Sequence, residues 1–460
     1  MGNGLNAGYK LSGRRRLVRL GSRGIAAAFL IAALSGAPPA GQAVETSRKA
    51  LDLLLAARYS ELSELLTAQA RQKLTPEILR DRLGAEITSF GKMQEISEPR
   101  TLKSGSTDIV IFPVRFANNR VNVQFTLNEA GEISGVNFRS PYDPLPQVWT
   151  RPLYSKPDLF QERDITVGTD DWKLDGMFTF PLGQGPFPAV VLVHGPGPND
   201  LDESIYATRI FADIAEGLAS RGIAVLRYDK RTSVYGKEMA GTAYTLRQET
   251  IEDAVRAIAL ARMQPETDPR RVFVLGHSLG GYAAPRIARQ DGKLAGAIVL
   301  AGNARPIEDV SLAQIEFMLK AKGGASPQEQ KRLELLKAET AKVKSLKPGT
   351  DNPPTLLGLP TAYFLDLKGY DPAAEARALA IPMLLLQGER DFQVTMEDFS
   401  LWKTGLAGAK NMTFHSYPAL NHLFIAGEGP PSPVEYRKAA NVAPAVIDDI
   451  AGWIVAQKRL

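Results

Sequence analysis

The chain has 460 residues, 44% hydrophobic and 23% charged, which are the proportions of an ordinary globular protein with room for one large domain and one small one. It has no cysteine, which excludes disulfides, a thiol nucleophile and cysteine-ligated metal. The formal charge is +5, but residues 1–43 hold Lys10, Arg14, Arg15, Arg16, Arg19 and Arg23 and no acid; the rest carries −1, and no electrostatic case for nucleic acid remains.

Residues 1–43 have the layout of an export signal: a basic segment, the apolar run Ile25 to Leu34, then small residues with a predicted cleavage site at Gly41-Gln42-Ala43. Ten apolar residues are too few to span a bilayer, so no stable membrane insertion is expected once the segment is removed; an uncleaved anchor is the alternative. Arg14-Arg15 followed by Arg16-Leu17-Val18 loosely resembles a twin-arginine signal, so either export route is open. The predicted location is periplasmic or secreted.

Residues 47–140 read as a small α+β domain. Leu51, Leu54, Leu55, Leu62, Leu65 and Leu66 recur at helical spacing, and Thr75-Pro76-Glu77 has the form of an N-cap and first turn. Val110, Phe112, Val114 and Phe116 alternate, as do Val121, Val123, Phe125 and Leu127, with Ala117-Asn118-Asn119 as the turn between two strands. A proline-rich connector, 141–160, separates this unit from 161–460.

Beyond the connector, apolar runs alternate with helical stripes. Phe178 to Pro181, Ala189 to Val193, Ile223 to Leu226, Val272 to Leu275, Ala297 to Leu300 and Met383 to Leu386 are predicted strands. Ile210 to Leu218 and Ile251, Ala254, Val255 and Ile258 mark the helices between them. The pattern implies an α/β fold with a mostly parallel sheet covered on both faces, and ligands at the carboxyl ends of its strands. An insertion at about 303–380 holds an apolar helix near Leu312 to Leu319 and a charged one over Glu329 to Lys347, stopped by Pro348; it is expected to cap the site.

The chemistry-bearing residues fall at those strand ends. Gly276-His277-Ser278-Leu279-Gly280 is a Gly-x-Ser-x-Gly run after a buried strand, the signature of a nucleophile elbow with Ser278 at its tip. Leu279 N–H, opening the next helix, is the first expected oxyanion donor. The loop His194 to Asp200 should supply the second; proline cannot donate, so Pro196 is excluded and Gly197 is chosen, the alternative being a plain Gly/Pro turn. His422, in a loop after the strand Met412 to Tyr417, is the candidate general base, with His415 as the alternative and His194 read as a buried structural residue. Asp391 is the candidate orienting carboxylate, with Glu389 as its alternative.

These residues, in the chain order Ser278, Asp391, His422, resemble the α/β-hydrolases, especially exported esterases and serine-aminopeptidase-like hydrolases with a small amino-terminal domain of uncharacterised function. The resemblance covers about 165–457 and rests on His194 to Asp200, Arg227-Tyr228-Asp229-Lys230-Arg231, Gly276 to Gly281, Gly388 to Asp391 and Asn421-His422. Pro196 departs from it, since the family often has serine there. The resemblance implies hydrolysis of short-chain carboxylic esters with no metal or cofactor. An exported peptidase or amidase is the alternative, and a catalytically silent binding protein a further one. The oligomeric state is not legible.

Overall fold

The computed structural model describes residues 40–104, 107–141, 148–168, 171–349 and 354–457. Most of the predicted export signal lies outside them; its last residues, Ala40 to Ala43, open helix α1 (Ala40–Leu55), in which Ala43 is buried. Among the described residues no helix is long and apolar enough to cross a membrane.

The amino-terminal unit follows the predicted order of helices and then antiparallel strands, with three strands the alternation did not reveal. Its sheet contains β1 (Met93–Ile96), β2 (Arg100–Ser104), β3 (Thr107–Phe116), β4 (Arg120–Leu127) and β5 (Ile133–Arg139). The predicted pair is β3 and β4, with Val110 opposite Phe125 and Val114 opposite Val121. Their inward residues close on Leu51, Leu54, Leu62 and Leu66 in a core of their own. Nothing in the sequence marks β1 and β2, because Met93-Gln94-Glu95-Ile96 and Arg100-Thr101-Leu102-Lys103-Ser104 show no apolar alternation.

The larger unit is built on eight strands: β6 (Phe160–Val167), β7 (Leu174–Pro181), β8 (Phe187–Val193), β9 (Ala224–Tyr228), β10 (Thr267–His277), β11 (Gly296–Leu300), β12 (Met383–Gly388) and β13 (Met412–Tyr417). Their spatial order is β13-β12-β11-β10-β8-β9-β7-β6, with parallel pairing from β13 through to β9 and antiparallel pairing at β7 and β6. In β8 and β10, Val191, Val193, Val272 and Val274 point to one face and Val190, Leu192, Phe273 and Leu275 to the other, and both sets are buried. That two-sided burial is why these strands read as continuous apolar runs. Helices α2 (Ile210–Ala219) and α8 (Pro444–Ala456) cover one face, and α3 (Glu252–Arg262) and α4 (Leu279–Asp291) the other.

The insertion after β11 contains α5 (Ile307–Ala321), α6 (Pro327–Ser345) and α7 (Thr361–Leu367). Ser326 caps α6 reciprocally with Glu329, and most of that helix is exposed. The connector is less of a free tether than its prolines suggest. Trp149 Nε1 donates to Asp213 at 2.8 Å, Arg151 pairs with Glu216 at 2.7 Å, Ser155 Oγ donates to Glu216 at 2.6 Å, and Tyr154 donates to the Val442 carbonyl. Its described part, from 148, is stitched to α2.

Candidate active site

The central strand β10 pairs Gly276 with Val193 of β8 and His277 with Leu300 of β11, so three chains leave the sheet side by side. Ser278 follows at once, with φ 54° and ψ −117° and its N–H held by the Leu300 carbonyl at 2.9 Å. A non-glycine residue in this region is strained by roughly 1–3 kcal/mol, which only a rigid surround sustains. Two glycines make the turn possible. A Cβ on Gly276 would lie 2.1 Å from the Gly280 oxygen, and one on Gly280 would lie 2.2 Å from the Val193 oxygen.

Ser278, Leu279 and Gly197 line one cavity of about 140 Å3, together with Pro196, Glu249, Asn303, Leu359, Tyr363 and Val394. Helix α5 adds Ile307, Val310, Ser311 and Gln314, so the insertion forms a wall over the serine. Larger concavities exist, one of about 780 Å3 on the amino-terminal sheet, but its lining includes no serine at an elbow and no histidine.

His422 and Asp391 meet as a pair. His422 Nδ1 lies 2.6 Å from Asp391 Oδ2, both side chains are buried, and the carboxylate also accepts from Gln393 N–H, Val394 N–H and Gln387 Nε2. With Nδ1–H given to Asp391, Nε2 of His422 is left as the basic nitrogen. Gly388 allows this approach: a Cβ there would sit 2.5 Å from the Leu420 oxygen and 2.6 Å from that of Asn421. Among the described residues no hydrogen bond joins Ser278 Oγ to His422; such contacts are often long without substrate and close in the complex. The alternatives fall elsewhere. Glu389 is exposed and accepts from Ser416, while His415, half-exposed, faces Asp449 at 3.3 Å. His194 is buried between Phe211 and Tyr228 and bonds the Asp200 carbonyl; burial lowers its pKa to about 4.

A second buried pair, absent from the sequence reading, braces the site. His277 Nδ1 lies 3.0 Å from Glu203 Oε2, and its Nε2 lies 3.0 Å from the His422 carbonyl. Both partners are acceptors, so both ring nitrogens carry protons and the ring is an imidazolium. Burial alone would depress the His277 pKa, but the neighbouring Glu203 charge outweighs it and the pKa is raised. Burial likewise opposes ionisation of Glu203, yet His277 and the hydrogen bonds it accepts hold its pKa below the usual range. The other Glu203 oxygen accepts Gly195 N–H at 2.6 Å. Gly195 N–H is therefore occupied and Pro196 has none, leaving Gly197, at φ 89°, as the first amide of the loop without an acceptor among the described residues. Nothing in the spacing of Glu203 marks it; only the fold brings residues 203, 277 and 422 together.

A profile of the family described as serine aminopeptidase, S33, matches residues 185–428, more than half of the chain. The chain belongs to this family. Esterase EstD of Thermotoga maritima is 38% identical to this S33 member over 402 residues, spanning 87% of this chain and 93% of its own. Solved structures similar to the S33 member include Est1E from Butyrivibrio proteoclasticus, at 16% identity and TM-score 0.42, covering 64% of this chain and 98% of that one. A puromycin-hydrolyzing peptidase of Mycobacterium tuberculosis is 17% identical with TM-score 0.42, covering 79% of this chain and 48% of its own. With its mostly parallel sheet covered on both faces by helices, the S33 member has the α/β-hydrolase fold, and the Ser278 elbow, the Asp391 turn and the His422 loop all lie inside the matched region.

Proposed function

We propose that the protein hydrolyses carboxylic esters of short acyl chain through an acyl-enzyme on Ser278, with His422 as general base and Asp391 as the acid that orients it. The observation that carries this reading is a strained serine sharing one small cavity with Leu279 and Gly197, together with a His422–Asp391 pair closed to 2.6 Å whose His422 carbonyl bonds His277, the residue before the serine. In this scheme His422 Nε2 takes the serine proton as Oγ attacks the ester carbonyl, and the Leu279 and Gly197 N–H groups hold the oxyanion. His422 then protonates the departing alkoxide, and water attacks the acyl-enzyme with the same nitrogen as base.

Two features favour short esters over aminoacyl amides. A space of about 140 Å3 takes a group about the size of benzene, which suits acetyl to butyryl chains. Among the described residues the only carboxylate on the cavity wall, Glu249, is neutralised by Lys230 at 3.0 Å and offers no unpaired charge to an α-ammonium. The name of the similar Thermotoga protein, an esterase, points the same way; the family description keeps an aminopeptidase as the second reading. Turnover of p-nitrophenyl esters from acetate upward, set against aminoacyl-anilides, separates them: rates falling beyond butyrate and negligible anilide cleavage are expected, and comparable anilide turnover would overturn the preference. We also propose export under the signal of residues 1–43, tested by sequencing the amino terminus of the secreted or periplasmic protein.

A further inference from the structure

The stretch Arg227 to Thr232 takes no part in the chemistry above, yet it holds the oxyanion loop at three points and also holds Leu201, the residue after it. Asp229 Oδ1 accepts Leu201 N–H at 2.7 Å, Lys230 N–H donates to the Asn199 carbonyl at 3.0 Å, and Thr232 Oγ1 donates to the Gly197 carbonyl at 3.0 Å. The fourth contact is buried: Lys230 Nζ donates to the Gly195 carbonyl at 2.7 Å. The same ammonium lies 3.0 Å from Glu249 Oε1, and the other Glu249 oxygen accepts from Tyr363 of α7 at 2.6 Å. Glu249 sits in a π-helical turn (Arg247–Ile251) that brings it, with Thr250 and Ile251, into the interior. Tyr363 and Glu249 both face the catalytic cavity. A continuous buried path therefore runs from the insertion, through Tyr363, Glu249 and Lys230, to the residue two before Gly197.

We propose that Lys230, paired with Glu249 and reached by Tyr363 from the insertion, is a positioning residue that holds the oxyanion loop in its anion-binding form, so that the seating of the insertion sets the donor geometry at Gly197. The inference rests on the reading of Ser278 as nucleophile and Gly197 as donor. Gly195 is clamped at both ends, its N–H by Glu203 and its carbonyl by Lys230, which orients the following peptides of a loop whose glycines would otherwise leave it pliable. A compact ammonium with three donors can serve a carbonyl and a carboxylate at once, whereas a neutral isostere cannot. Because Pro196 has no N–H, the loop holds no spare amide at that position, so a donor displaced by about 1 Å is not replaced and the rate falls by about 10²-fold.

The test uses the full chain with p-nitrophenyl acetate, each kcat expressed per site titrated to completion with a fluorophosphonate. Lys230→Met combined with Glu249→Gln removes both charges together, and Tyr363→Phe removes one hydroxyl. We expect the double variant to lose about 100-fold in kcat with KM within about threefold, and Tyr363→Phe to lose about fivefold to tenfold. The affinity of a boronic acid that forms a tetrahedral adduct on Ser278 should fall in the same proportion. A purely structural role would instead lower the number of titratable sites and leave kcat per site unchanged. If the double variant does not fold, Tyr363→Phe decides. Values of kcat per site within twofold of the parent, or a change in KM alone, would overturn the proposal. Ser278→Ala is run alongside: retained turnover there sinks the hydrolase reading itself, while an inactive Ser278→Ala with neutral relay variants defeats only this inference.

Discussion

At Ser278 backbone strain coincides with the proposed nucleophile. Its φ of 54° is sustained by the Leu300 carbonyl on one side and the first turn of α4 on the other, so removing the hydroxyl disturbs neither. Ser278→Ala is expected to lose about 10⁴-fold or more in turnover with an unchanged unfolding midpoint, checked by ester kinetics and thermal denaturation. Asp391→Asn should lose about 10³–10⁴-fold, because an amide can present the wrong partner to Nδ1 and stabilise the wrong His422 tautomer. Glu203 differs from both. Glu203→Gln leaves the buried His277 ring without its counter-charge and is expected to lose about 3 kcal/mol of stability in denaturant unfolding. At this scale the sequence was informative where a motif exists, around Ser278, and silent where it does not, at Glu203.

Among the elements, the strands β8, β10, β11 and β12 were legible because burial on both faces leaves an unmistakable apolar run. Strand β6 was not, since the polar run Gln161-Glu162-Arg163-Asp164 interrupts its apolar residues at the sheet edge. The turn after β12 shows how elements set the site. Gly388 lies so close to the Leu420 and Asn421 carbonyls that a methyl group must push the His422 loop away. Gly388→Ala is therefore expected to lower kcat by at least about tenfold while fluorophosphonate still labels Ser278, though more slowly; unchanged kcat would show that the loop tolerates the shift.

For the whole molecule, the connector and the buried histidine matter most. Since Trp149, Arg151, Tyr154 and Ser155 bind α2 and the loop before α8, a chain beginning at Val148 should keep the unfolding midpoint of the larger unit. One beginning at Phe160 leaves buried Glu216 unpaired and should melt several degrees lower. His194 makes stability depend on acid. Its folded pKa of about 4 lies below the unfolded value near 6.5, so the unfolded chain binds more protons between those values. The contribution of His194 is full above about pH 6.5 and is lost, to the extent of about 3 kcal/mol, as pH falls towards 4; His194→Gln should flatten that part of the profile in chemical denaturation.

The parallel run of strands was determined by the sequence itself, because local hydrophobic patterns carry it, and the same patterns singled out Ser278, Asp391 and His422 as candidates at the strand ends. Tertiary structure alone decided the bracing of the site. Glu203 reaches His277 across 74 positions, His277 reaches the His422 carbonyl across 145, and Tyr363 reaches Glu249 across 114. A buried ion pair has no sequence period, since its partners are chosen by where the sheet and its loops converge and not by spacing along the chain.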